Sequence, residues 1–249
     1  MIFKQADLKK FLNHIRQNYT VTSLGKWNGK PAIILRHDVD FDVKAAYDMA
    51  VVEKECKIDS TFFIMTTSCT YNPMALPTRN YIKEINDMGF EVGLHFDPSI
   101  YGENDMKLLS EKVSVEANIL SSIIGRKVLS VSVHNPSVHG QYPMFEGFNN
   151  AYNKDIFGQD RYISDSRMQF RSDIYEFVKK VSEHPIQILL HPFHFTKEGK
   201  EYPQIFFEFI INFINRVDDT FRVNSKYNAS LGKTTLCEYI LNSNHNPKS

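Results

Sequence analysis

The sequence is poor in cysteine and tryptophan, carries no net charge and contains no long apolar run. Its three cysteines, Cys56, Cys69 and Cys237, are odd in number and widely spaced, which predicts reduced thiols rather than a disulfide framework. Basic and acidic residues balance at 29 each, so no electrostatic case exists for a nucleic acid or an anionic membrane as partner. The most apolar stretch, IFFEFIINFI at 205–214, is about half a membrane span long and is interrupted by Glu208 and Asn212. It reads as an amphipathic helix, and no membrane span is expected. The first twenty residues have no apolar core of signal-peptide kind, which predicts a cytoplasmic protein. No G-x-G-x-x-G follows the first strand, which weighs against a dinucleotide-binding sheet. LGKTT at 231–235 lacks the earlier glycine of a phosphate-binding loop, position 227 being Tyr. Repeats, low-complexity tracts and Pro/Gly/Ser-rich linkers are missing as well. One catalytic domain over 1–249 is expected, with a core from about 30 to 217, an opening helix at 4–18 and a polar tail after 241. No signal for an oligomeric state is present.

What the chain does have is a 42% hydrophobic content with 19 Phe and 12 Tyr, enough for a sizeable core. Apolar β-type runs at 32–37, 60–65, 90–95, 129–134, 161–166 and 186–191 alternate with helical patterns. Spacings of that kind imply βα units and a parallel sheet. The fold class expected is α/β: a distorted or incomplete (β/α) barrel of about seven parallel strands. Residues 135–160 are rich in Gly, Pro and Asn and are expected to form a long loop over the site.

Four of these six runs end in histidine: AIILRHDVD, FEVGLHFDP, LSVSVHNPS and IQILLHPFHF. With only nine histidines in the chain, this is far from chance. In parallel α/β folds the carboxyl ends of the strands share one face, where sites form. Asp38, Asp40, His95, His134 and His191 should therefore converge. Imidazoles with carboxylates at one mouth suit a divalent metal, most simply zinc with an open position. His37 points away from Asp38 on a regular strand, which favours a structural hydrogen-bonding role. Arg36 shares the face of Asp38 and is a candidate partner for it. Asp42 is better placed than Asp38 or Asp40 to cap the next helix. Asp97, Asn135 and His194 adjoin the strand-end histidines and are candidates for support or substrate binding. Tyr101, Tyr142, Phe145 and Phe193 are loop aromatics, candidates for stacking against a ligand ring. Cys69 has no His in its loop, which argues against a thiol hydrolase.

At these residues the sequence resembles the polysaccharide deacetylase superfamily, the relatives of chitin and peptidoglycan deacetylases. The RHDVD form is similar to a divergent branch among bacterial surface-polysaccharide proteins. The resemblance runs from about 30 to 195. It implies a distorted barrel that removes an N-acyl group from an amino sugar with a divalent metal. The family's T-F-D-D-G motif aligns with LRHDVDF. Asp38 then falls at the general base, and Asp40, one residue further on, takes the metal role. GFEVGLHFDPS matches the second motif through His95, but Ser99 stands where a second His ligand belongs. His134, in SVHNPS, could supply that ligand, and Arg36 could replace the arginine missing from the third motif. YISDSR echoes the fourth motif at Asp165. ILLHP matches the fifth and makes His191 the acid for the leaving amine. Together these imply a metal-dependent carbohydrate de-N-acylase, with an amino sugar or glycan of surface-polysaccharide biosynthesis as substrate. Two alternatives stay open: a catalytically inactive glycan-binding or assembly relative, and another metal-dependent barrel hydrolase or isomerase.

Overall fold

The computed structural model describes residues 3–102, 105–140 and 142–243. The tail expected after 241 lies outside the described residues from 244 onward. The chain divides into two compact units, residues 1–199 and 200–249.

The first unit is built on parallel strands. In chain order its elements are α1 (Gln5–Asn18), β1 (Val21–Thr22), β2 (Ile33–Val39), α2 (Val43–Cys56), β3 (Thr61–Ile64), α3 (Leu76–Asp87), β4 (Glu91–Phe96), α4 (Met106–Ile124), β5 (Ser130–Val133), α5 (Pro136–His139), β6 (Asn149–Asn150), β7 (Tyr162–Ser164), α6 (Ile174–Val178) and β8 (Ile186–Leu190). The sheet order is β6-β5-β4-β3-β2-β8-β7, with the short β1 beside the start of β2. Among the described residues β6 and β7 do not pair, so the sheet is an open, curled half-barrel. This is the incomplete barrel expected from the βα spacing. The two-residue strands β1 and β6 were beyond the reach of any periodicity.

β2 is an interior strand, flanked by β3 and β8, and all seven of its residues are buried. Its alternation sets two environments. Ile33, Leu35 and Val39 join the main core, to which the helices contribute Leu8, Phe11, Ala46, Ile82 and Val113. Ile34 joins a smaller cluster on the concave side with Leu24, Phe63, Ala151 and Ile156. Gly93 in β4 permits that cluster: a Cβ there would stand 2.5 Å from the Phe63 ring. Helix starts follow their side-chain caps. Asp42 accepts from Lys44 N at 2.9 Å, Asp105 from Lys107 N at 2.9 Å, and Asp173 from Tyr175 N at 2.8 Å. Gly125 (φ 71°) ends α4 in the left-handed region.

The second unit holds α7 (Tyr202–Phe221), α8 (Ser225–Leu231) and α9 (Leu236–Ser243). One buried carboxylate joins all three: Asp218 accepts from Arg222 Nε (3.0 Å), Tyr227 Oη (3.0 Å) and Leu236 N (2.9 Å). The apolar run at 205–214 lies in α7, with Ile205 and Phe209 buried. No helix among the described residues is long and apolar enough to cross a membrane. The three cysteines are free thiols.

Candidate metal and catalytic site

The carboxyl ends of β2, β4, β5 and β8 do converge. They line a cavity of about 210 Å³ that contains Asp38, Asp40, His95, His134 and His191. Parallel pairing forces this, since in-register neighbours such as Leu94 and Val131 carry His95 and His134 forward together.

Three donor atoms form a small triangle. Asp40 Oδ1 lies 3.1 Å from His95 Nε2 and 3.5 Å from His134 Nδ1, and the two nitrogens are 3.1 Å apart. Tetrahedral zinc with bonds near 2.0–2.1 Å places its ligand atoms roughly 3.3 Å from one another. The donor set and the spacing therefore fit a zinc-sized ion. Two further observations agree. Asp38 Oδ1 and Asp40 Oδ1 are buried without an aligned hydrogen-bond partner. His95 Nδ1 lies 3.2 Å from Ser132 O, so it donates there and leaves Nε2 as a lone pair aimed at the triangle. Burial pushes the Asp40 carboxyl up, but His134 and His95 outweigh it and hold the group well below the usual carboxylate range. Ser99 takes no part. Its N–H and hydroxyl donate to Asp97 at 2.9 and 2.6 Å, so Asp97 caps a turn outside the cavity wall.

Two groups flank the triangle. Asp38 Oδ2 is held by Arg36 Nη2 at 3.3 Å and by Ser132 Oγ at 3.4 Å. Arg36 is fully buried. It also donates to Tyr152 Oη at 2.9 Å and lies 4.8 Å from the Tyr152 ring centroid and 5.7 Å from that of Tyr162. Burial disfavours its charge, yet Asp38 and the two tyrosines raise its pKa further. On the other side His191 Nε2 lies 3.8 Å from Asp40 Oδ2. Its Nδ1 is 2.6 Å from Asp165 Oδ1, and its N–H also reaches that carboxylate. His194 Nδ1 meets Asp165 Oδ2 at 3.1 Å. Burial lowers the His191 pKa, but the Asp165 charge and hydrogen bond prevail and lift it to about 9. Burial raises Asp165 in turn, and the two histidines bring it down to about 2.

His37 faces the opposite side of β2. It sits 2.8 Å from Glu53 Oε1, and Glu53 Oε2 accepts from Ser60. The side-chain amide of Asn135 lies 2.8 Å from His134 Nε2, with Asn135 itself in the left-handed region (φ 44°). The loop aromatics divide. Tyr142 lines the cavity, whereas Phe145 is buried against Phe96 and Tyr101 donates to Glu116. Phe193 packs on Phe41, with ring centroids 5.2 Å apart, outside the main cavity. Tyr152, Phe157 and Tyr162 form the aromatic wall instead, the two tyrosine ring centroids lying 4.8 and 4.9 Å from that of Phe157. Tyr152 and Phe157 lie in the stretch where alternation gave no signal. Asp165 had only the YISDSR echo to mark it.

An open half-barrel with two imidazoles and a carboxylate gathered at its strand ends is the arrangement in hand. No protein-family model matches the chain, and no curated protein matches it either. Solved structures do resemble it. A CE4 family pseudoenzyme from Bacillus anthracis is 12% identical over 74% of this chain, with a TM-score of 0.41; the chain spans 62% of that protein's length. A family 4 carbohydrate esterase from Bacillus anthracis is 17% identical over 87% of this chain and 93% of its own, with a TM-score of 0.42. A peptidoglycan deacetylase from Bacillus subtilis is 16% identical over 80% of this chain and 98% of its own, with a TM-score of 0.41.

Proposed function

We propose that the protein is a metal-dependent carbohydrate de-N-acylase, acting on an N-acetyl or N-formyl amino sugar of surface-polysaccharide biosynthesis. The observation that carries this is the Asp40–His95–His134 triangle with Asp38 on one flank and His191 on the other. Asp40 Oδ1, His95 Nε2 and His134 Nδ1 would hold the ion. A divalent ion there supplies a water ionising near pH 7 and polarises a carbonyl.

The chain's own groups complete the chemistry. Asp38 Oδ2 is committed to Arg36 and Ser132, which leaves Oδ1 free to accept a proton from the attacking water. Arg36 balances one of the two carboxylate charges at the mouth and fixes the Asp38 rotamer. The Asp165 carboxylate favours the protonated form of His191, with Nδ1–H given to Asp165 and Nε2–H facing the cavity. It is therefore poised to protonate a departing amine. For His134 to offer a lone pair at Nδ1, its Nε2 must carry the proton. The structure places Asn135 Nδ2 2.8 Å from His134 Nε2; a 180° turn of that amide would bring its oxygen there to accept from Nε2–H and support that tautomer. The tyrosine wall offers ring faces and hydroxyls to a sugar.

The test combines metal content with product stoichiometry on the purified chain. About one equivalent of bound divalent metal, and one acid released per amino sugar consumed, is the expected result. Sugar conversion without acid release would identify an isomerase. Less than about a tenth of an equivalent of metal after gentle purification would favour an inactive glycan-binding relative.

A further inference from the structure

A second cavity, of about 200 Å³, opens at the opposite end of the sheet. It is lined at the start of β4 by Glu91, whereas His95 lies four residues further along the same strand. At about 3.3 Å per residue, roughly 13 Å of strand separates it from the catalytic cavity. Its charge is positive. Lys26 is matched by Asp59 at 3.0 Å, but Arg126 gives a single bond, to Phe90 O, and Lys127 makes none among the described residues. The carboxylate in the wall, Glu91, is already occupied by Gly25 N–H (2.8 Å), Thr61 Oγ1 (2.7 Å) and Ser130 Oγ (2.5 Å).

A second observation is independent of charge. Ser23 lines the same cavity and is completely buried, yet its hydroxyl has no partner. Buried hydroxyls are rarely left so, unless something absent from the protein completes them. Leu129, 43% exposed, adds an apolar side to the wall. Two cations without an ion-pair partner among the described residues, one orphaned hydroxyl and space beyond them suit a dianion carried on a small polar body.

We propose that this cavity is a binding site for a phosphate monoester of a small polyhydroxylated molecule. Arg126 and Lys127 take the phosphoryl oxygens, and Ser23 bonds a hydroxyl of the body. The assignment stands apart from the metal chemistry and survives if that fails.

Amide NMR spectra of the full chain titrated with glycerol phosphate test it. Saturable shifts are expected at Gly25, Gly89 and Lys127. The Arg126→Gln/Lys127→Gln variant should weaken binding about tenfold or more, and Ser23→Ala should weaken it less. Inorganic phosphate should bind more weakly than glycerol phosphate. Shifts confined to the His95 and His134 end would overturn the site. Unchanged affinity in a double variant with a native far-UV spectrum would overturn it too. Glycerol phosphate binding no better than inorganic phosphate would remove the role given to Ser23 and the cavity body.

Discussion

The two faces of β2 carry the same kinds of residue to opposite ends. On the helix side, His37, Glu53 and Ser60 form a closed group in which each side chain meets a partner. On the concave side, Arg36, Asp38 and Asp40 leave polar atoms buried and unmatched. Burying an unpaired charge is far costlier than burying a paired one. The closed group therefore belongs to the fold. The open one is where the proposed ion and substrate would supply the missing partners.

The largest effect should follow from breaking the open side. Asp38→Asn should lower acyl release about 10²–10⁴-fold per folded molecule, with some loss of stability because the buried Arg36 loses its carboxylate partner. His95→Ala should lose bound metal as well. A variant of either kind with near-normal turnover would remove the mechanism. The reverse experiment acts on the closed side. Glu53→Ala removes the partner of both His37 and Ser60 in the core and should destabilise the chain by about 1–3 kcal/mol in denaturant titration, with turnover per folded molecule unchanged. A stable but inactive variant would show that the two faces are not separable.

The His191–Asp165 pair lies between these cases and answers to pH. His191 is raised to about 9 from 6.5, so its contribution to stability is whole below 6.5 and is lost as pH rises through 9. Asp165 is lowered to about 2 from 3.8, so its contribution is whole above 3.8 and is lost as pH falls through 2. Unfolding midpoints should therefore decline from about pH 7 to pH 9.5 in the native chain but much less in Asp165→Asn. A native chain with a flat midpoint over that range would contradict the pairing. Catalysis in Asp165→Asn should also lose its alkaline limb at a lower pH, since His191 gives up its proton sooner. The smallest effects are expected outside the two groups. Asp97→Ala removes a turn cap and should cost about 1 kcal/mol of stability, with little change in turnover. A large loss of activity would instead draw Asp97 into the site.

Much of this was legible beforehand, because parallel topology turns strand-end residues into neighbours. His95, His134 and His191 each closed an apolar run, and Asp38 and Asp40 stood just beyond another that ends in Arg36 and His37. His37 could be assigned to the far face by alternation alone. Tyr152 and Phe157 could not be found this way, because they enter the cavity from a stretch with no periodic pattern. Phe145 shows the converse: a loop aromatic that reads as a stacking platform is drawn into the core beside Phe96. Apolar area gained in the core outweighs exposure at a rim.

Sequence alone determined the order of the long strands and helices and which residues sit at those strand ends, because local periodicity and chain direction are properties of neighbours along the backbone. Only the tertiary structure decided the distances: that His134 reaches Asp40 and His95, that Arg36 turns to Asp38, and that Asp165 is shared by two histidines. Such distances depend on how the sheet curls and where each strand stops, and those are set by packing between segments far apart in the chain.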